Sequence, residues 1–261
     1  MAEAVDVVVL TWDDEDEMRG AVASAGSSTG VRVSVVVVDN GSARPVAAPE
    51  PGTVTVLRNP GNLGVAAGRN RGVAAGTSPF VCLLDSDARL RPDCLALLLE
   101  PLERDPKVAM TVPVFTGQPP EASAGRAPGL SRKVARLLGV TKVYGRTGDR
   151  AMPAWEVEAA IGACQLVRRE AFDEVGGLDE SFFYGPEDVD FCLRLRERGW
   201  AILQVGDARC DHAPRRTSRA ILSRRGIAHA WAVSRYLWRH RRDRSRRYPW
   251  RHRRDRPANR P

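Results

Sequence analysis

The chain has 261 residues, 43 % of them hydrophobic, which is enough for one sizeable α/β core with an appendage and too few for several domains. Its formal charge of +8 is unevenly spread: Ala213 to Pro261 holds 17 Arg against 2 Asp, net +15, while the preceding 212 residues hold 23 Lys+Arg and 30 Asp+Glu, net −7. An acidic body with a basic tail, and no nucleic-acid motif beside the charge, makes nucleic acid the least supported partner.

In chain order, Val5 to Leu10 is a β-branched run that predicts a first buried strand ending at Thr11. The carboxylates of Asp13 to Glu17 then favour a helix from about Asp14 to Ala25, broken by Gly26 to Gly30. Val31 to Val38 predicts a second strand running into Asp39. After a Pro- and Ala-rich loop, 43–52, comes a third strand, Thr53 to Leu57. Asn59 to Gly72 is a glycine-rich turn feeding a small-residue helix over about Gly64 to Gly76. Its spacing, G-x-x-G-x-x-x-G after a third strand, departs from the dinucleotide-binding pattern, so small residues are expected to let the helix lie close on the sheet. Arg69 and Arg71 project from that helix, either to meet a phosphate or to stand solvated.

Phe80 to Leu84 is wholly apolar, as a strand buried on both faces is, and ends in Asp85-Ser86-Asp87. At the carboxyl end of such a strand a carboxylate pair suits Mg2+ or Mn2+, although read alone the pair fits a solvated turn equally well. A helix is predicted over Arg91 to Arg104 with Pro92 in its first turn, then a strand over Val108 to Phe115. Thr116 to Pro153 shifts to Gly, Pro, Ser and Arg, with a short helical stretch at 131–138, and is expected to be an acceptor-side loop.

Ile161 to Arg169 predicts a strand with small residues at its start, where Gly162 lets a ligand near the backbone. Glu187, Asp188 and Asp190 crowd the start of a helix ending at Gly199. They either cap that helix or, through mutual repulsion, furnish a general base. His212 follows a strand at Ala201 to Val205 and a loop, and is a candidate metal ligand. Cys82, Cys94, Cys164, Cys192 and Cys210 contain no C-x-x-C pair, which argues against a disulfide framework or a zinc site and for reduced thiols. No signal pattern and no apolar run near 18 residues is seen, so a cytoplasmic protein is expected.

Six stretches together carry a resemblance: VVVLTW at 7–12, VVVVDNGS at 35–42, NPGNLGVAAGRNRG at 59–72, VCLLDSD at 81–87, the block 161–200, and His212. In this order they resemble family 2 glycosyltransferases of the GT-A fold, in the rhamnosyltransferase-like branch. The resemblance implies a Rossmann-like α/β sandwich with a mostly parallel sheet over 1–215; the remainder, 216–261, reads from its own residues as a basic helical tail with a disordered end. It implies inverting, metal-dependent transfer of a sugar from a nucleotide-diphosphate donor, dTDP-rhamnose or a UDP-sugar, to a hydroxyl on a glycan, a lipid-linked sugar or a small molecule.

By position, Thr11 and Asp39 would contact the nucleoside, and Asn62 and Arg69 would line the donor pocket. Asp85 would meet the ribose or the diphosphate. Asp87, with His212 and Asp85, would hold Mg2+ or Mn2+. Asp188 would be the base, Glu187 its neighbour on the acceptor side, and Asp190 and Gly162 positioning residues. The stretch TWDDEDE is more acidic than the family pattern.

The tail, with Trp, Tyr and Leu among arginines over Ser218 to Arg242, suits peripheral contact with the anionic inner face of a membrane, or a helix docked on the body. The alternative reading of the whole is a non-catalytic sugar-nucleotide-binding protein, or a basic adaptor for membrane or RNA.

Overall fold

A computed structural model of the chain describes residues 3–47, 54–127 and 153–212. The helical stretch expected at 131–138 and the basic tail at 216–261 lie outside the described residues, as does most of the loop expected at 116–153. In chain order the elements are β1 (Ala4–Thr11), α1 (Glu15–Gly26), β2 (Arg32–Asp39), β3 (Val54–Arg58), α2 (Val65–Ala74), β4 (Phe80–Asp85), β5 (Ala88–Leu90), α3 (Cys94–Arg104) and β6 (Val108–Phe115). They continue with β7 (Ala124–Gly125), β8 (Ala154–Glu156), β9 (Ala159–Ala160), β10 (Cys164–Arg168), α4 (Arg169–Glu174), α5 (Glu187–Glu197) and β11 (Ala201–His212).

Among the described residues nine of the strands form one sheet in the order β3-β2-β1-β4-β10-β6-β11-β5, with β8 paired to β11 beside that path, and β7 and β9 pair antiparallel in a separate two-stranded sheet. β3, β2, β1, β4, β6 and β11 run in one direction, and β10 is inserted against them between β4 and β6. The valine runs are explained by the period of two along a strand. Val5, Val7, Val9, Val35 and Val37 meet α1 and α3 on one face, while Val8, Val36 and Val38 meet α2, α4 and α5 on the other. A sheet covered on both faces leaves no polar side to its central strands.

The small residues of α2 do what the sequence suggests. A Cβ on Gly68 would stand 2.5 Å from Leu10 Cδ1, and one on Gly72 would stand 2.3 Å from Val8 Cγ1. The helix axis can therefore sit closer to the sheet than any alanine would allow.

Three elements differ from expectation. α3 starts at Cys94: Pro92 and Asp93 form a turn before it, and the Pro92 carbonyl accepts the Thr29 N–H at 2.7 Å. β10 starts at Cys164, which leaves Ile161 to Ala163 as loop. β11 does not stop at Val205 but runs to His212, with a register shift between Gln204 and Arg209. Gly206 and Asp207 look like a strand end in sequence; here they form a bulge that the strand passes through. The extension pairs with β5, an element the sequence does not announce.

Gly72→Ala is expected to destabilise the fold by about 1–3 kcal/mol in urea denaturation, because overpacking against Val8 and Val38 outweighs the gain in helix propensity.

Candidate functional site

Register brings the site together. On neighbouring parallel strands Thr11 lies opposite Asp39 and Leu10 opposite Asp85, so the carboxyl ends of β2, β1 and β4 stop at one level. The antiparallel β10 begins there, with Cys164 opposite Leu84 and the Ala163 carbonyl accepting the Asp85 N–H at 2.9 Å. From the other edge, β5 pairs with the end of β11 and sets His212 opposite Ala88, beside Asp87.

Asp85, Asp87 and His212 each offer one ligand atom, and these atoms lie within 4.8 Å of one another. His212 Nε2 stands 3.5 Å from Asp87 Oδ1, and its ring packs on Phe115 with centroids 4.9 Å apart. Burial disfavours the charged imidazole, but the hydrogen bond to Asp87 and the charges of Asp87 and Asp85 outweigh it and raise its pKa. Two carboxylates and an imidazole on an accessible edge are a hard oxygen and nitrogen donor set, which fits Mg2+ or Mn2+ and not a thiophilic metal.

Arg69 is not the solvated arginine that the sequence allows. It is 2 % exposed, and its Nη2 donates to Asp85 Oδ1 and, at 2.8 Å, to the Gly162 carbonyl. A Cβ on Gly162 would come within 2.5 Å of Arg69 Nη1, so the guanidinium lies close against this glycine. Arg71 is exposed. The Asp85 side chain keeps 38 % of its area accessible, yet the surrounding cleft desolvates it enough to raise its pKa, with Arg69 opposing the rise and Asp87 adding to it.

The Gly162 N–H donates to Asp188 Oδ2 at 3.2 Å, and Asp188 Oδ1 accepts the Val189 N–H at 2.7 Å. Asp188 remains partly exposed, whereas its neighbour Glu187 is buried, with no hydrogen-bond partner for Oε2 among the described residues. The Glu187 pKa is pushed up to about 7, first by burial and then by the Asp188 charge, with Arg69 opposing and Asp85 adding. Asp190 is fully buried and given over to Arg194, whose Nε donates to it at 2.7 Å and whose Nη1 reaches the Val175 carbonyl at 2.8 Å. Before α5, Phe182 is buried while Phe183 and Tyr184 are 46 % and 49 % exposed. The Phe183 carbonyl accepts the first N–H of α2, from Val65, at 2.9 Å.

The remaining expected donor residues are tied into the backbone. Thr11 Oγ1 donates to the Asp14 carbonyl at 3.2 Å. Asp39 is fully buried: Oδ1 accepts the Ser42 N–H at 2.8 Å, and Oδ2 accepts Val46 N–H and Arg58 Nη1. Burial would raise the Asp39 pKa, but the bonds from Ser42 and Val46 and the Arg58 charge outweigh it, so the value is lowered. Asn62 Oδ1 accepts from Asn40 Nδ2 at 3.0 Å and from the Gly64 N–H at 2.9 Å.

Asn40 is the residue that sequence reasoning missed. Its Oδ1 accepts Asn59 Nδ2 at 2.8 Å and the Leu63 N–H at 3.1 Å, which ties the loop after β2 to the glycine-rich turn. Asparagines at strand ends flanked by glycine were the available signal.

The fold and this cleft define the class of protein: an α/β sandwich of the GT-A kind. The structure of GalNAc-T7 with UDP, GalNAc and Mn2+ superposes with a TM-score of 0.71 at 18 % identity, covering 91 % of this chain and 48 % of that one. A mannosyltransferase from Pyrobaculum calidifontis in complex with GDP-Man and Mn2+ gives a TM-score of 0.64 at 18 % identity, over 93 % of this chain and 65 % of that one.

The chain belongs to glycosyl transferase family 2, whose model matches residues 6–176. A pre-mycofactocin glycosyltransferase of Mycobacterium tuberculosis is 35 % identical over 201 residues, 75 % of this chain and 39 % of that protein, so this chain spans well under half of that relative. The N-acetylglucosaminyl-diphospho-decaprenol L-rhamnosyltransferase of the same organism is 30 % identical over 239 residues, 81 % of this chain and 76 % of that protein.

The raised pKa of Glu187 gives a pH signature. The folded protein holds this proton more tightly than the unfolded chain, so the group costs stability progressively as pH rises from about 4.5 to about 7 and the full cost stands above that range. Glu187→Gln is expected to remove that fall, on the order of 1–3 kcal/mol, read as the unfolding midpoint measured from pH 4 to 8.

Proposed function

We propose that the chain is an inverting, cation-dependent glycosyltransferase that moves a sugar from a nucleoside-diphosphate donor to an acceptor hydroxyl. One observation carries this reading: the cluster of Asp85, Asp87 and His212 and the pair Glu187 and Asp188 share one cleft edge, joined through Arg69 and Gly162. Asp87, with His212 and Asp85, would hold Mg2+ or Mn2+. A cation there supplies charge stabilisation to the departing diphosphate.

Asp188 is the base of the proposed mechanism. Its carboxylate is anchored by two backbone N–H groups yet partly exposed, so it can accept the acceptor hydroxyl proton while that oxygen attacks the anomeric carbon. The base and the leaving group act on opposite sides of the reacting carbon, which is the arrangement of an inverting displacement. Glu187 stands beside the base on the acceptor side. Asp190 helps by fixing the first turn of α5 through Arg194, and Gly162 by admitting Arg69. Thr11 and Asp39, at the ends of β1 and β2, and Asn62, in the turn before α2, form the donor side. Asp39 would reach a nucleobase only if the loop 42–46 opens, because no part of its side chain is exposed.

The donor we favour is dTDP-rhamnose or a UDP-sugar. The rhamnosyl transfer in the name of the M. tuberculosis relative and the UDP in the GalNAc-T7 structure support these two. The acceptor we favour is a lipid-linked sugar, in line with the diphospho-decaprenol in that relative's name and with the net +15 of residues 213–261. Each arginine near an anionic membrane surface contributes about 1 kcal/mol of attraction, which suits peripheral contact at the cytoplasmic face. No described helix is long and apolar enough to cross a membrane.

Calorimetry of dTDP-rhamnose and UDP-sugars, each with and without Mn2+, tests the reading. Cation-dependent binding of one donor, lost in Asp87→Ala, is the expected result; a folded protein that binds none of them would refute it. Asp188→Asn is expected to retain donor affinity and to lower kcat by about 10²–10⁴-fold, and full turnover in that variant would remove Asp188 from the mechanism.

A further inference from the structure

The turn that carries Asp85 and Asp87 is held from behind by a side chain to which neither the sequence patterns nor the reaction assigns a task. Arg89, the central residue of β5, folds its guanidinium back under that turn. Nη1 donates to the Ser86 carbonyl at 2.8 Å and to the Ala88 carbonyl at 3.0 Å, and Nη2 donates to Glu17 Oε2 on α1. The head group rests on Gly20 of the same helix, where a Cβ would come within 2.4 Å of Nε and Nη2. α1 thus supplies both a carboxylate and a gap in its side-chain surface to one guanidinium.

The Ser86 carbonyl belongs to the peptide that joins Ser86 to Asp87. A bond to it fixes the plane of that peptide, and so the direction in which the Asp87 side chain leaves the turn. The same strand also places the third member of the cluster, since Asp211 lies opposite Arg89 and His212 opposite Ala88. Arg89 therefore sits where the spacing between Asp87 and His212 is set. Its ion pair with Glu17 is 29 % and 35 % exposed on the two sides, so its worth to global stability is small. A planar fork that reaches two carbonyls and a carboxylate at once is something a lysine reproduces only in part.

We propose that Arg89 is a positioning residue for the cation site: through the Ser86 carbonyl it holds Asp87 at the spacing that Asp85 and His212 require, with Glu17 and Gly20 as its seat on α1. The inference rests on the cation-dependent reading above. It adds a part of α1 that the family motifs do not include.

The test is Mn2+ binding to the full chain without nucleotide, read from the electron paramagnetic resonance signal of free Mn2+, alongside thermal unfolding. Arg89→Ala is expected to weaken Mn2+ binding by about 10–100-fold, the usual cost of losing an outer-shell partner, while Arg89→Lys recovers part of the loss. Gly20→Ala separates positioning from mere support. A methyl there raises helix propensity and so holds or raises the unfolding midpoint, yet it pushes the guanidinium off its seat and should weaken Mn2+ binding with Arg89 still present.

Wild-type Mn2+ affinity in folded Arg89→Ala, or in Gly20→Ala if the former does not fold, overturns the proposal. Wild-type protein that binds no Mn2+, alone or with UDP or dTDP present, overturns both this proposal and the cation-dependent reading, whereas wild-type binding with unchanged affinity in the variants overturns this proposal alone.

Discussion

The arrangement of this cleft depends on one buried cation. The Arg69 guanidinium, 2 % exposed, shares one nitrogen between the Asp85 carboxylate and the Gly162 carbonyl, and the amide of that same glycine holds Asp188. A charge removed from water is tolerable only when it is paired and hydrogen-bonded. Asp85 meets it directly, while Asp188 and Glu187 lie close enough for their charges to act on one another. Removing the cation would leave several carboxylates crowded without a counter-charge. Among the described residues Arg69 Nε and Glu187 Oε2 have no hydrogen-bond partner.

The glycine-rich segment is best understood from this requirement. Gly68 and Gly72 let α2 lie against Leu10 and Val8, and that closeness carries Arg69, one residue past Gly68, to the end of β4. Gly64 adopts a positive φ of 87° and faces Phe183 so closely that a Cβ would stand 2.7 Å from its carbonyl oxygen. The first N–H of α2 is thereby taken up by the segment leading to Glu187 and Asp188. The glycines serve helix-to-sheet and helix-to-loop contact, the role of close packing rather than of an anion cradle.

Most of the fold was legible because buried parallel strands announce themselves as apolar runs, and the carboxylates ending Val31 to Val38 and Phe80 to Leu84 mark the functional edge. What escaped notice was long-range. β5 has only three residues, too few to show a period, and it exists because the end of β11 needs an antiparallel partner. The bulge at Gly206 made β11 look shorter than it is. Arg69 read either as a phosphate ligand or as a solvated charge because a helix of small residues has a weak apolar stripe, and nothing local reveals that the Gly162 backbone will sit opposite. Asp190 shows the converse. It shares a motif with Asp188, yet its carboxylate is taken up by Arg194 one helical turn away.

Charge counting joins these observations to the proposed chemistry. Asp85, Asp87, Asp188 and Glu187 face Arg69 and His212, so even with Glu187 protonated three aspartates stand against two cations, and the cluster is anionic whether or not the imidazole is protonated. A diphosphate brings further negative charge to the same edge. On the proposed reading, donor affinity and cation affinity must therefore be coupled, each lowering the cost of the other through the carboxylates they share. The raised pKa of Asp85 and of Glu187 points the same way, because both groups gain most when positive charge arrives. An edge built this way should discriminate against a bare nucleotide diphosphate more by electrostatics than by shape, and the shape of the sugar pocket is then free to vary on a common scaffold.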